Sequence, residues 1–98
     1  MKAYIYILFS ENMNRFYVGV TQKSVEQRLD KHNTHAYGRH RYTASDTDWC
    51  VFFVIEVNNY SHAVRIERKI KSMKSRTYIY NLKKYPELQQ KLIDQTST

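Results

Sequence analysis

The fold of this chain is decided by the run Ala3-Tyr4-Ile5-Tyr6-Ile7-Leu8-Phe9-Ser10-Glu11-Asn12-Met13-Asn14-Arg15-Phe16-Tyr17-Val18-Gly19-Val20-Thr21. Aromatic and β-branched residues fill its two ends, and such side chains suit a pleated, half-buried surface. The stretch between them, Ser10 to Asn14, is rich in turn formers. The run therefore predicts a hairpin with strands from about Ala3 to Phe9 and from Arg15 to Val20. Alternation puts Tyr4 and Tyr6 on one face and Ile5 on the other, so Tyr6 and Tyr17 share a site only if the two strands pair in matching register. Gly19 marks a place where the backbone must come close to a helix or a substrate, which no side chain would permit.

Immediately outward, Ser24 is placed to cap a helix, with Gln27 three residues later completing a capping-box pattern. Val25 and Leu29 form the inward stripe, and the helix ends near His32 to Thr34. At 3.6 residues per turn, Arg28 and His32 lie one above the other on a single face. A guanidinium offers a planar fork that donates to two phosphate oxygens and keeps its charge. An imidazole takes or gives a proton near neutral pH. Alone, such a pair reads first as a solvated basic face; the two tyrosine motifs upstream turn the reading toward a phosphate site.

Composition bounds what the chain can be. Ninety-eight residues make one domain with a modest core. Sixteen Lys and Arg against nine Asp and Glu, with a pI near 9.6, favour a polyanionic partner, nucleic acid first among them. A single cysteine, Cys50, excludes an internal disulfide and fits a reducing compartment. The N-terminus enters strand-like residues without an apolar stretch long enough for a signal peptide or a membrane span, so a cytoplasmic protein with no membrane partner is expected.

From His35 to Asp48 the chain is polar and basic and reads as a loop over or beside the site. Trp49 to Val57 reads as a strand buried on both faces, with Cys50 a packed, inert thiol. A second helix starts near Ser61, with Ala63, Ile66, Ile70 and Met73 on its apolar face. Arg76 to Leu82 is ambiguous, because Tyr78-Ile79-Tyr80 is strand-like by propensity yet compatible with a helix or connector. Pro86 fits the first turn of a last helix carrying Leu88, Leu92 and Ile93, followed by a frayed end. Glu67 falls on or at the edge of the second helix's apolar face, the only acid in the run from Arg65 to Lys84 beside eight Lys or Arg residues. A buried carboxylate must be paired or bind a metal. An ion pair with Arg28 and metal ligation are the two readings.

Taken in order, Tyr4-Ile5-Tyr6, Tyr17-Val18-Gly19-Val20-Thr21, Arg28, His32-Asn33 and Glu67 resemble the GIY-YIG nuclease superfamily. The likeness is closest to its small stand-alone branch, related to the N-terminal nuclease domain of the nucleotide-excision repair protein UvrC. Tyr4 stands where the first motif has glycine and Val18 where the second has isoleucine, and neither change removes a catalytic group. The resemblance implies that Glu67 holds one divalent ion, Mg²⁺ or Mn²⁺, on the scissile phosphate of DNA, while Arg28 stabilises the developing charge. It implies that one of Tyr6 and Tyr17 acts as general base toward water while the other positions phosphate or water, with His32 assisting. A phenol near pKa 10 is a poor base at neutral pH, so positive surroundings must lower it or the metal must acidify the water instead. Asn81 is a further possible match to a late polar residue.

Lys31, Arg39, Arg41, Lys69, Lys71, Lys74 and Arg76 are candidate phosphate contacts, and Tyr37 and Tyr42 are available to stack on bases. Tyr4, Tyr60 and Tyr80 read as ordinary structural aromatics. His32, His35 and His40 with Cys50 match no compact zinc spacing. Neither a phosphate-binding glycine loop nor a serine-centred triad is available, with only Gly19 and Gly38 present.

The expectation is a single α+β nuclease domain over residues 1–94, a small, mainly antiparallel three-stranded sheet flanked by helices, with residues 95–98 as a frayed tail. Its activity would be metal-dependent hydrolysis of DNA phosphodiester bonds, in repair or recombination; its oligomeric state is left open, a monomer being compatible. The rival from another class is a non-catalytic nucleic-acid-binding module of the same fold. A third reading is a protein adaptor using the segment from Tyr78 to Ile93.

Overall fold

The computed structural model describes residues 1–33 and 48–97. Strand β1 (Ala3–Ser10) and strand β2 (Arg15–Thr21) form the expected hairpin, followed by helix α1 (Val25–Asn33), strand β3 (Cys50–Val57) and helices α2 (Tyr60–Met73), α3 (Arg76–Lys84) and α4 (Pro86–Thr96). The sheet runs β2-β1-β3 with both pairings antiparallel. This is the anticipated α+β architecture.

The turn of the hairpin is held from outside. Asn14 takes a left-handed conformation at φ 53°, and its N–H donates to the Glu11 carbonyl at 3.2 Å. Asp48, just before β3, accepts from Ser10 Oγ at 2.5 Å and from the Asn12 N–H at 3.0 Å.

Strand parity then divides the molecule. Ala3, Ile5 and Ile7 of β1 join Val18, Ile55 and Val57 in the main core, against Ala63, Ile66 and Ile70 of α2, Ile79 and Leu82 of α3 and Leu92 of α4. Tyr6 and Leu8 point to the other face, where they meet Trp49 together with Tyr17, Val25 and Leu29. Thus α1 covers one face and the three later helices cover the other.

Two expectations are corrected, and one left open is decided. Strand β3 is an edge strand, not one buried on both faces, and Cys50 is an exposed free thiol next to Val51, itself 42% exposed. The apolar run there reflects a register shift opposite Ile7 and Leu8, which lets the consecutive Phe52 and Phe53 both pack on the main core. The Tyr78-Ile79-Tyr80 segment is helical. Ser75 Oγ caps α3 by accepting from the Tyr78 N–H at 3.1 Å, and only helical spacing buries Ile79 and Leu82 together, so packing overrides strand propensity.

Helix α4 continues through Thr96, two residues beyond the boundary expected at 94. The Thr96 carbonyl accepts from Arg65 Nε at 2.7 Å, and its Oγ1 lies 2.9 Å from His62 Nε2. These contacts tie the last turn back to α2.

Candidate active site

Tyr6 and Gly19 are direct partners across the hairpin. The Tyr6 ring lies over the Gly19 backbone so closely that a Cβ at residue 19 would come within 2.5 Å of both Tyr6 Cζ and Oη. The close approach expected at Gly19 is therefore made by this phenol, not by a helix. Tyr6 is consequently buried, at 3% exposure, while Tyr17, two residues before Gly19 on the same face, is half-buried. Their ring centroids are 6.2 Å apart.

Helix α1 delivers the nitrogen groups. Ser24 Oγ accepts from the Gln27 N–H at 3.4 Å, the predicted cap. His32 sits edge-on to Tyr17 with ring centroids 4.4 Å apart and is 6.3 Å from Tyr6, with Trp49 closing the cluster 6.2 Å from the imidazole. His32 is more deeply buried than the Val25 and Leu29 stripe beside it. Burial, and secondarily the positive charge of Arg28, pushes its pKa below the ordinary value of 6.5. At neutral pH the ring is uncharged and Arg28 remains the local cation.

Arg28 is aimed by Thr21. The buried Thr21 Oγ1 accepts from Arg28 Nε at 3.2 Å and from the Lys23 N–H at 2.9 Å, so one hydroxyl both closes the turn after β2 and fixes the guanidinium. Thr21 was not singled out in the sequence, although its parity with Tyr17 and Gly19 puts it on the same face. Asn33 is the second residue whose role the sequence did not disclose. Its amide donates to the Trp49 carbonyl at 3.0 Å and accepts from the Trp49 N–H at 2.9 Å, pairing like a strand and locking the end of α1 to the start of β3.

Glu67 does not join the Tyr6, Tyr17 and His32 cluster through a direct contact. It stands on α2, across the sheet, its side chain 21% exposed and its carboxylate 3.6 Å from Lys71 Nζ. That pairing replaces the alternative of an ion pair with Arg28. Arg65 and His62 occupy the flank of α2 that meets α4, whereas Lys71, one turn beyond Glu67, lines a cleft with Arg15 and Val18 of β2. Glu67 therefore lies on the flank toward the β2 edge, the edge that carries Tyr17 on its opposite face.

The other candidates separate. Lys31 is exposed on the last turn of α1. Lys71, Lys74 and Arg76 line one cleft, while Lys69 lies on another with Lys91. Asn81 is half-buried on α3, on the side away from the tyrosines. His35, Tyr37, Arg39, His40, Arg41 and Tyr42 lie outside the described residues.

Among the described residues no group of three or more His, Cys, Asp or Glu gathers that could hold a metal by itself. Nor is any of their helices long and apolar enough to cross a membrane. What the site offers is two phenols, a neutral imidazole and an oriented guanidinium on one face, with a carboxylate at the sheet's edge.

Two tyrosines of the β1–β2 hairpin thus meet a histidine of α1, on the helix that also carries Arg28, over one face of a three-stranded antiparallel sheet. The family model of the GIY-YIG catalytic domain matches residues 2–83. The chain belongs to that family, a family of nuclease domains, and its substrate class is accordingly nucleic acid. No curated protein and no solved structure matches the chain.

Proposed function

We propose that the protein is a metal-dependent endonuclease that hydrolyses DNA phosphodiester bonds, acting in repair or recombination. The observation that carries this reading is the cluster of Tyr17 on His32 with Arg28 held by Thr21, a preformed cation beside proton-transfer groups.

Hydrolysis adds water across one P–O bond. The water oxygen bonds phosphorus and loses a proton, and the departing sugar oxygen leaves with the bonding pair and gains one. Arg28 faces the charge that grows on the non-bridging oxygens. Tyr17 is the phenol assigned to the water, because Tyr6 is sealed over Gly19 and serves as the floor that sets Tyr17 and His32. A neutral His32 packs edge-on against the Tyr17 ring, and in this reading it assists proton movement as the family resemblance implies.

Glu67 fits a divalent ion as a single carboxylate on an accessible flank, since Mg²⁺ is commonly held by one or two carboxylates with substrate phosphate oxygens and water. Held at Glu67, Mg²⁺ or Mn²⁺ would supply Lewis acidity to a phosphate that reaches the β2 edge, the edge shared by Glu67 on one face and Tyr17 on the other. Assignment to the stand-alone branch related to the UvrC nuclease domain rests on Tyr4 and Val18 at the two variable motif positions.

The test is nicking of branched, single-stranded and damaged DNA with Mg²⁺ or Mn²⁺. Glu67→Ala and Arg28→Ala are expected to abolish nicking and to leave salt-sensitive binding largely intact. Equal activity of wild type and Glu67→Ala would sink the enzyme reading. The second reading, a non-catalytic binding module, is favoured by the ion pair that already engages Glu67 with Lys71. It predicts binding without cleavage across the whole panel.

A further inference from the structure

Between the hairpin turn and the junction of α2 with α3 lies an open cleft of about 300 Å³. Its floor includes Val18 and Ile70, and its walls carry Arg15, Lys71, Lys74 and Arg76, with no acidic side chain among its lining residues. Even with Lys71 offset by its ion pair to Glu67, the concavity is net positive, and such a field raises the local concentration of anions.

Part of this wall is preorganised. Arg76 Nη2 donates to Asn14 Oδ1 at 2.9 Å, and its guanidinium lies 5.4 Å from the Phe16 ring centroid and 5.9 Å from that of Phe9. A cation stacked on two rings loses little further freedom when an anion arrives. Lys74 ends α2 in a left-handed conformation at φ 48°, its N–H on the Lys71 carbonyl at 3.3 Å, so the backbone that carries it is fixed as well.

The cleft adjoins the proposed metal position through Lys71, which lines its wall and is the ion-pair partner of Glu67. Lys71 follows Glu67 by one helical turn, about 5.4 Å along the axis, and the two side chains are paired. An anion chain leaving a phosphate at Glu67 would enter this cleft within one to two nucleotides.

We infer that the cleft lined by Arg15, Lys71, Lys74 and Arg76 is a phosphate-backbone subsite that holds the nucleic-acid strand flanking the scissile bond. This assignment rests on the nuclease reading above. An open, elongated concavity fits a polyanion passing through it better than a single enclosed phosphate. Arg15 on the hairpin and Lys74 on the helix junction grip the strand from opposite walls.

Binding of a fluorescent DNA oligonucleotide is measured across a salt series in chelator, so that a protein which does not cleave still gives an answer. The double variant Arg15→Gln/Lys74→Gln is expected to lower the slope of log affinity against log salt by roughly 2, about one unit for each lost phosphate contact. In the cleavage assay the same variant raises KM with kcat unchanged. Lys91→Gln, outside the cleft, leaves slope and KM as they were. Both altered residues are exposed, and an unchanged melting temperature verifies the fold.

An unchanged slope in a folded double variant overturns the subsite while leaving nuclease activity standing. Displacement of DNA by inorganic phosphate as effectively as by unlabelled oligonucleotide at equal ionic strength also overturns it, in favour of a free-anion site. A lowered slope without any cleavage by wild type keeps the subsite and defeats the nuclease reading.

Discussion

Gly19 carries the Tyr6 ring directly on its backbone: a methyl group at residue 19 would be 2.5 Å from the Tyr6 hydroxyl oxygen. The pair makes glycine a requirement of its neighbour's ring and not of its own dihedral angles. It also explains how a bulky phenol is accommodated flat against a strand.

Gly19→Ala is expected to lose about 1–3 kcal/mol of stability, the usual penalty of overpacking a filled site. Tyr6→Ala combined with Gly19→Ala removes the obstructing ring, so the double variant should be more stable than the sum of the two single losses. Urea denaturation of the four proteins checks the cycle, and strict additivity would show that the ring moves aside freely.

Thr21→Val takes away the acceptor of Arg28 Nε and keeps the side chain's shape. Hydrogen bonds to charged groups contribute about 1.5–3 kcal/mol, so kcat should fall roughly 10- to 100-fold. Thr21→Ser, which keeps the oxygen, should restore most of the rate. Loss of thermal stability without a fall in kcat would make Thr21 a turn residue only.

For His32 the sign of the pH effect follows from its lowered pKa. The folded state disfavours the protonated ring, so the unfolded chain binds more protons once pH falls below the ordinary value of 6.5. Stability attributable to this ring is complete above that pH and declines as pH drops toward the folded pKa. His32→Gln should flatten this part of the stability–pH curve, and an identical slope in the variant would show that other groups produce it.

Asn33→Ala deletes both hydrogen bonds to the Trp49 backbone, at about 0.5–1.5 kcal/mol each. Asn33→Asp keeps the acceptor and turns the donor into a second acceptor facing the Trp49 carbonyl, so it should be no better than alanine at high pH. Chemical denaturation monitored by Trp49 fluorescence reads both, and a fully stable Asn33→Asp would mean that the bond donated to the Trp49 carbonyl contributes nothing.

The hairpin, the capped α1 and the apolar face of α2 as far as Ile70 were legible because each is a local pattern: strand parity, a serine before an inward stripe, three- and four-residue spacing; Met73, placed on that face by spacing, is exposed at the helix end. The Trp49 to Val57 run was misread as buried on both faces because a continuous apolar run hides the register shift that leaves Cys50 and Val51 exposed at its start. Tyr78-Ile79-Tyr80 was undecidable by propensity, since the deciding partner of Ile79 is Leu82, outside the triplet. At the site, residue types pointed to Tyr6, Tyr17 and His32, which the structure brings together. Thr21 and Asn33 stayed hidden because their importance lies in which backbone or side chain they happen to meet. Glu67 was placed on the correct helix, but its pairing with Lys71 instead of Arg28 depends on which face of the sheet that helix covers.

The alternation of β1 has a consequence for how this protein can change. In one eight-residue strand, Ala3, Ile5 and Ile7 feed the interior, while Tyr4, Tyr6 and Leu8 belong to the side that meets α1. Drift at the odd letters is limited by volume, and drift at the even letters by the shape of what the face must receive. A laboratory selection for heat resistance and one for turnover would therefore leave their marks on interleaved positions of the same word, and the two histories could be read apart by numbering alone.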